Sequence, residues 1–240
     1  DRLKILKNYK KFYFENIDIK NLTKLNLIIK NKKIDIILNL AAQAGVRDSI
    51  SSPKKYFDNN LLGFFNILEA SKNNRIKHLI TASTSSVYGS NKIFPTKETS
   101  NTDSPKSFYA ATKKCNEVMA YSYYEIYNLN ITILRFFTVY GPYGRPDMAL
   151  FKFVDAIMKK NKINLYNRGN HYRDFTYIKD VTYSIKKIIK NKNKIKKPSY
   201  EIINISGSKS RKLTYFLGLI EKELKTYAKI TYKGMQLGDV

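Results

Sequence analysis

Tryptophan is absent from this 240-residue sequence, cysteine occurs once, at position 115, and none of the ten glycines precedes residue 45. A lone cysteine can form no internal disulfide, which fits a reducing, cytoplasmic setting. No run of about 18 apolar residues occurs, so no membrane span is expected. The opening DRLKILKNYKKF has neither an initiator Met nor the apolar stretch of a signal peptide. Acidic residues are scarce, 19 against 44 Lys and Arg, which leaves a net charge of +25. That excess invites a nucleic-acid partner. However, the lysines are intermixed with Asn and Ile along the chain, as in KNKNKIKK at 190–197. No helix-turn-helix, zinc-finger or RNA-recognition pattern occurs, so no nucleic-acid role is expected. A basic surface would still suit an anionic small substrate. The two histidines, His78 and His171, give no metal-site spacing, and no metal is expected.

What is present is alternation. IDIILNL (34–40) is nearly continuous in apolar residues, as expected for a parallel strand covered on both faces. HLITAS (78–83), ITILRFF (131–137), INLY (163–166), YEIINIS (200–206) and KITYK (229–233) read as further strands. Helical patterns fall over 60–72, about 106–128, about 150–160, 180–190 and near 213–225, and the Lys/Asn-rich 190–198 reads as a solvated connection. Strand–helix alternation predicts an α/β fold with an open, doubly wound parallel sheet, Rossmann-like. Ligands on such sheets bind beyond the carboxyl ends of the strands, where AAQAG and TSSVYG sit.

FYAATKKCNE (108–117) places Tyr109 and Lys113 one helical turn apart on one face. With 19 tyrosines and abundant lysine the spacing recurs by chance, at Tyr88/Lys92 and Tyr183/Lys187. Only Tyr109 has a hydroxyl residue 25 positions upstream at a strand end, Thr84; the matching positions for the other two are Gly63 and Met158. A strand-end Ser/Thr beside a helical Tyr–Lys pair resembles the arrangement of short-chain dehydrogenases and their extended relatives. A free tyrosine titrates near 10 and is a poor base. A nearby ammonium and a cationic nicotinamide would lower that value. Tyr109 would then remove a sugar hydroxyl proton while hydride leaves the same carbon. Lys113 would bind the nicotinamide ribose, and Thr84 would hydrogen-bond the reacting oxygen.

NLAAQAGVRDSI, ASTSSVYG, FYAATKKCNE, LRFFTVYGPYGRPDMALFKF, RDFTYIKDV and the terminal MQLGDV follow one another along the whole chain. Together they resemble the UDP-glucuronate 4-epimerase family of extended short-chain dehydrogenases/reductases. The resemblance implies NAD as cofactor, a UDP-sugar as substrate, and a homodimer with helices near 60–74 and 106–128 as its faces. It implies an NAD-binding part over 1–140 and a UDP-sugar-binding part over 141–240, with interleaved Rossmann elements. Asp18 would meet the adenine; Leu40, Ala41, Ala42 and Ala44 would line the cofactor, and Asn60 would help hold it. Phe137 and Val139 would flank the nicotinamide. Ser85, Ser86 and Thr138 would surround the sugar and its carboxylate. Arg145 and Arg173 would meet the diphosphate, where guanidinium forks suit phosphate oxygens. Asp239 would accept from the uridine ribose, and Arg47 is a further substrate-side candidate.

Plainer roles stay open for several of these. Asp18 also fits the end of a strand, Asn60 a helix N-cap, and Phe137 ordinary core. Ser85 and Ser86 also fit backbone satisfaction after the strand. Arg145 also fits a solvated loop, and Arg173 a surface pair with Asp174.

Residue 86 bears on the reaction. Decarboxylases related to this family typically carry Glu there, and the 4,6-dehydratases carry an Asp–Glu pair after the Thr, which runs elimination by acid–base transfer. Here Ser85 and Ser86 offer hydroxyls that can hold a substrate carboxylate intact, so epimerisation at C4 is expected. UDP-glucose 4-epimerase and UDP-glucuronate decarboxylase are the alternatives within the class; a non-catalytic UDP-sugar-binding remnant is the alternative outside it. The resemblance also implies roughly forty residues before Asp1, a strand, a glycine-rich turn and a helix. The sequence therefore reads as an internal fragment that binds NAD poorly by itself.

Overall fold

The computed structural model describes residues 2–91, 93–192 and 197–235. A short helix α1 (Arg2–Lys7) leads through an extended stretch to α2 (Leu22–Asn31), whose first turn is capped by the Asn21 side chain accepting from the Lys24 amide. Strand β1 (Ile36–Asn39) follows. Two single turns, α3 (Asp48–Ser51) and α4 (Pro53–Tyr56), run into a π-helical stretch, Phe57–Leu62, and then α5 (Gly63–Asn73). Strand β2 (His78–Thr84) ends in a 3₁₀ turn, Ser85–Tyr88. The long helix α6 (Phe108–Tyr127) is capped at its start by Ser107, which accepts from the Ala110 amide, and stopped by Asn128 in the left-handed region.

Strand β3 (Ile131–Phe136) is followed directly by β4 (Thr138–Tyr140), and then by α7 (Ala149–Met158) and β5 (Lys162–Tyr166). Strand β6 (Tyr172–Tyr177), α8 (Ile178–Lys192), β7 (Tyr200–Ile205), β8 (Ser210–Lys212), α9 (Leu213–Leu224) and β9 (Lys229–Lys233) complete the order.

Four strands form one parallel sheet in the order β1-β2-β3-β7. Their side chains alternate between two apolar layers, which is why these strands read as continuous apolar runs. Leu79, Ile131 and Ile133 pack beneath Leu25 and Ile29 of α2, Phe64, Ile67 and Leu68 of α5, and Ala120 of α6. Ile80 and Leu134 face the other way, onto Val181 of α8 and Ile205. Leu134 is fully buried. Truncating it leaves a void that rigid strands on both sides cannot close, so Leu134→Ala loses about 2–5 kcal/mol of stability. Urea unfolding midpoints measure this directly; an unchanged midpoint contradicts the two-layer core.

A smaller body sits past β3. Strand β4 pairs with β6 in parallel, β6 with β8 antiparallel, and β5 with β9 in parallel. Its core joins Phe153 and Ile157 of α7, Ile163 and Leu165 of β5, and Leu217 of α9. Among the described residues β1 pairs only with β2, and the nearby Leu38 and Leu40 are exposed. No helix is long and apolar enough to cross a membrane among the described residues.

Candidate active site

The carboxyl ends of β1, β2 and β3 open toward one region, and α6 crosses behind it. Thr84 ends β2 and Tyr109 lies in the first turn of α6, and the Thr84 hydroxyl is a neighbour that favours the ionised Tyr109 phenol. One turn on, the Lys113 ammonium is 3 % exposed and donates to the Ala82 carbonyl at 2.9 Å. Burial pushes Lys113 down to about 8. An ammonium carries three donors, and among the described residues this one has a single acceptor and no carboxylate partner. Such a group suits a bound polyhydroxyl ligand.

Burial also raises the Tyr109 phenol above its usual range, while the Thr84 hydrogen bond and the Arg145 charge pull it back. The expectation of a phenol lowered by the neighbouring ammonium is therefore corrected. Desolvation is the largest effect on Tyr109 here. The two other Tyr–Lys spacings differ in kind. Tyr183 and Lys187 stack on the exposed side of α8, the ammonium 4.9 Å from the ring. Tyr88 lies in the 3₁₀ turn, with its hydroxyl donating to Asn204 Oδ1, and Lys92 lies outside the described residues.

The turn after β2 presents Ser85 and Ser86, both half-buried. Thr84 Oγ1 accepts from the Ser86 amide at 3.2 Å and lies 3.3 Å from the Ser86 hydroxyl. The turn closes at Gly89, whose φ of +57° favours glycine and where a Cβ would strike the Ser104 carbonyl. It is the Thr84 hydroxyl, and not a serine side chain, that satisfies backbone in this turn, and the Ser86 hydroxyl stands beside it. Phe137 packs against the Tyr88 ring at 6.4 Å, and Val139 leans on the α8-side core; Thr138 begins β4 between them.

After β1, Asn39 accepts from the Ala41 amide and donates to Thr81 Oγ1, which sets the departure of the Leu40, Ala41, Ala42, Ala44 loop. Asn60 is almost wholly buried inside the π-helical stretch, so it is not an N-cap. Its amide accepts from Gln43 N at 2.8 Å and donates to the Gln43 carbonyl and to Thr112 Oγ1, both at 3.0 Å. Asn60 therefore acts on the site by holding that loop against α6. Gly45 closes the loop at φ +124°, where a Cβ would lie 3.3 Å from Tyr56 Oη and 3.8 Å from Arg145 Nη2.

Arg145 reaches this region although its loop is distant in sequence. It is held by Asp147, Nε to Oδ1 at 3.0 Å with a second, shorter contact, and its charge bears on both Tyr109 and Tyr56. It is neither solvated alone nor remote. Arg47 stacks its guanidinium 5.5 Å from the Tyr166 ring at the end of β5. Arg173 lies on β6 directly across from Arg211 and donates to the Tyr172 carbonyl at 2.9 Å. Its sequence neighbour Asp174 accepts from the Gly207 amide at 2.6 Å. Asp18 ends no strand: its carboxylate takes the Lys20 amide at 2.9 Å in a turn before α2. Asp239 lies outside the described residues.

Three residues that spacing did not suggest belong here. Tyr56 meets Tyr109 edge-on, ring centroids 6.2 Å apart, and donates to the Gly45 carbonyl at 2.7 Å and to Asp48 at 3.0 Å. Burial, with the Asp48 carboxylate, pushes Tyr56 up to about 12, so it stays a phenol. Glu117, one turn beyond Lys113 on the same buried face, could have been found as a carboxylate on the inner stripe of an amphipathic helix.

A strand-end Thr, a helical Tyr–Lys pair and a parallel sheet define the catalytic end of a short-chain dehydrogenase/reductase site. The model of the NAD dependent epimerase/dehydratase family matches residues 2–206. Protein CapI of Staphylococcus aureus is 44% identical over 100% of this chain and 75% of its own length. A UDP-glucuronate 4-epimerase of Thermodesulfobacterium geofontis is 39% identical over 100% of this chain and 72% of its own. The solved UDP-glucuronic acid 4-epimerase of Bacillus cereus, in complex with UDP-glucuronic acid and NAD, superimposes with a TM-score of 0.90 at 31% identity, covering 99% of this chain and 73% of that one. The chain belongs to the NAD dependent epimerase/dehydratase family, in its UDP-glucuronate 4-epimerase branch of extended short-chain dehydrogenases/reductases.

The residues present fit the nicotinamide end of that cofactor: Lys113 has one acceptor for its three donors among the described residues, and Phe137 lies against Tyr88 in the turn that follows Thr84. Among the described residues no glycine-rich turn meets the pyrophosphate end.

Proposed function

We propose that this protein inverts the C4 carbon of UDP-glucuronate to give UDP-galacturonate through a 4-keto intermediate. The observation that carries the reading is Thr84 beside the Tyr109 phenol, with buried Lys113 one turn on, and serines where related eliminating enzymes carry carboxylates. Thr84 Oγ1 orients the sugar O4, and Tyr109 Oη takes its proton and later returns it. NAD+, when bound, supplies reversible hydride transfer at C4 and a positive charge beside the phenol. Lys113 holds the ribose hydroxyls on that side. Ser85, Ser86 and Thr138 hydrogen-bond the uronate carboxylate away from the geometry that favours loss of CO2. Arg145 exchanges Asp147 for the diphosphate, Arg173 joins it, and Arg47 adds positive charge for an anionic sugar. Asp18 receives the adenine ribose region, the 40–44 loop lines the cofactor, and Asp239 holds the uridine ribose.

The 141–240 part supplies the UDP-sugar contacts. Exposed Phe65 on α5 and Val118, Tyr121 and Ile126 on α6 support a homodimer through those helices. The product would enter surface polysaccharide from the cytoplasm, the use that the family resemblance implies.

Proton NMR of UDP-glucuronate incubated with the full gene product and NAD+ tests the reading. UDP-galacturonate is expected. UDP-xylose or a 4-keto pentose would reassign the enzyme as a decarboxylase. Turnover of UDP-glucose alone would move it to the neutral-sugar epimerases. No product from either sugar would leave a binding module.

A further inference from the structure

The geometry points to a buried ion pair, Glu117–Arg135, as the positioning device that fixes the Thr84–Tyr88 segment against the helix carrying Tyr109 and Lys113. The inference rests on the reading of Tyr109 and Thr84 as the reacting pair.

Both partners are almost completely buried, Arg135 at 2 % and Glu117 at 3 %. The contact is a two-pronged one: Nε to Oε1 at 2.9 Å and Nη2 to Oε2 at 2.7 Å. Glu117 Oε1 also accepts from the Ser83 hydroxyl at 2.5 Å, one residue before Thr84. From the other side, Arg135 Nη1 donates to Tyr88 Oη at 2.9 Å and to the Glu98 carbonyl at 2.9 Å. One ion pair therefore grips Ser83 and Tyr88, the residues that bracket Thr84, Ser85, Ser86 and Val87.

Three contacts lie on one helical stripe. Tyr109, Lys113 and Glu117 follow at intervals of four along α6 and meet Thr84, the Ala82 carbonyl and the Ser83 hydroxyl respectively. Sheet hydrogen bonds fix β2 against β3, with Ser83 opposite Arg135 and Thr84 opposite Phe136. Nothing in that ladder sets how far α6 slides along the sheet. Apolar packing beneath the helix is non-directional and tolerates such sliding. A bidentate guanidinium–carboxylate pair does not.

Stability gives little reason for the pair, because well-packed apolar side chains often serve as well in a buried position. Direction is what it supplies. A hydroxyl and a phenol that must share one sugar oxygen need that direction, since displacement by about 1 Å can cost 100-fold in rate.

Ser83→Ala removes the grip on β2 while leaving the ion pair intact. Ser83→Thr restores a hydroxyl on a side chain suited to a strand. In the full gene product, Ser83→Ala is expected to lower kcat about tenfold with KM for UDP-glucuronate unchanged. The groups facing the Tyr109 phenol are Thr84, Arg145 and Tyr56. A loosened Thr84 hydrogen bond raises the phenol, so its titration should move up by about half a unit. Carbon-13 labelling at tyrosine Cζ reads this by NMR, with Tyr109 assigned by its absence from Tyr109→Phe. Ser83→Thr is expected to return both values to those of the wild type. A Tyr109 titration identical in Ser83→Ala and the wild type overturns the inference. A wild type without turnover would defeat the proposed reaction, while the titration would still decide the role of the pair.

Discussion

Tyr109→Phe abolishes epimerisation, with kcat falling about 1,000-fold, while affinity for UDP stays within about twofold. The substitution removes one oxygen and keeps the ring that meets Tyr56 edge-on, so the pocket wall stands. Lost with that oxygen are the Thr84 contact and, in the proposed reaction, the group that takes the O4 proton. Because burial raises the phenol, it is protonated near neutral pH before ligands arrive. Wild-type turnover should therefore climb with pH as the phenol titrates, and the residual rate of the variant should not. Steady-state kinetics across pH 6–10 checks both halves. Full turnover in the phenylalanine variant would falsify the assignment of the base.

Lys113→Met is expected to stop turnover and, against that loss, to make the protein more stable at neutral pH. The ammonium is buried beside a single acceptor, and its folded value of about 8 lies below the ordinary 10.5. Between those values the unfolded chain binds more protons than the folded one, so stability rises with pH through that window. Below about pH 8 the whole penalty stands, ~3 kcal/mol for a shift of this size. Methionine fills a similar volume without charge, and losing the bond to Ala82 returns ~1 kcal/mol. A net gain of ~2 kcal/mol at pH 7 follows, and above pH 10.5 it reverses to a net loss of ~1 kcal/mol, the lost bond alone. Denaturant unfolding of both proteins at the two pH values measures it. A variant less stable than the wild type at pH 7 would show that the ammonium is better satisfied than its single bond suggests. A gain in stability bought by loss of function is the usual sign of an active-site group.

Much of the main sheet is legible in the sequence because its strands are buried on both faces. Strands β1, β2, β3 and β7 fall within the apolar runs 34–40, 78–83, 131–137 and 200–206, β2 running one residue further, to Thr84. Helix α6 is legible for a different reason, a capping Ser107 ahead of a long amphipathic stretch. Helix α2 escapes notice because only Leu25 and Ile29 are buried on it, amid lysines and asparagines. Strand β4 escapes because no turn residue separates it from β3, and β6 and β8 because their pairing is short and half-exposed.

The site divides the same way. Thr84, Tyr109 and Lys113 could be found by spacing, since two lie on one helix and the third ends a strand. Tyr56, Asp48 and Arg135 arrive from segments with no fixed interval to Tyr109, so only folding brings them in. The sense of the Tyr109 shift is not legible in the sequence, because spacing shows that a lysine is near, whereas desolvation depends on everything packed around the phenol.

In the proposed reaction a hydrogen leaves C4 and comes back to the same carbon without meeting solvent. UDP-glucuronate carrying deuterium at C4, turned over by the full gene product with NAD+ in ordinary water, tests this most directly. UDP-galacturonate with the deuterium still at C4 is the predicted product. Deuterium lost to water, or a product lacking its carboxylate, would contradict the account.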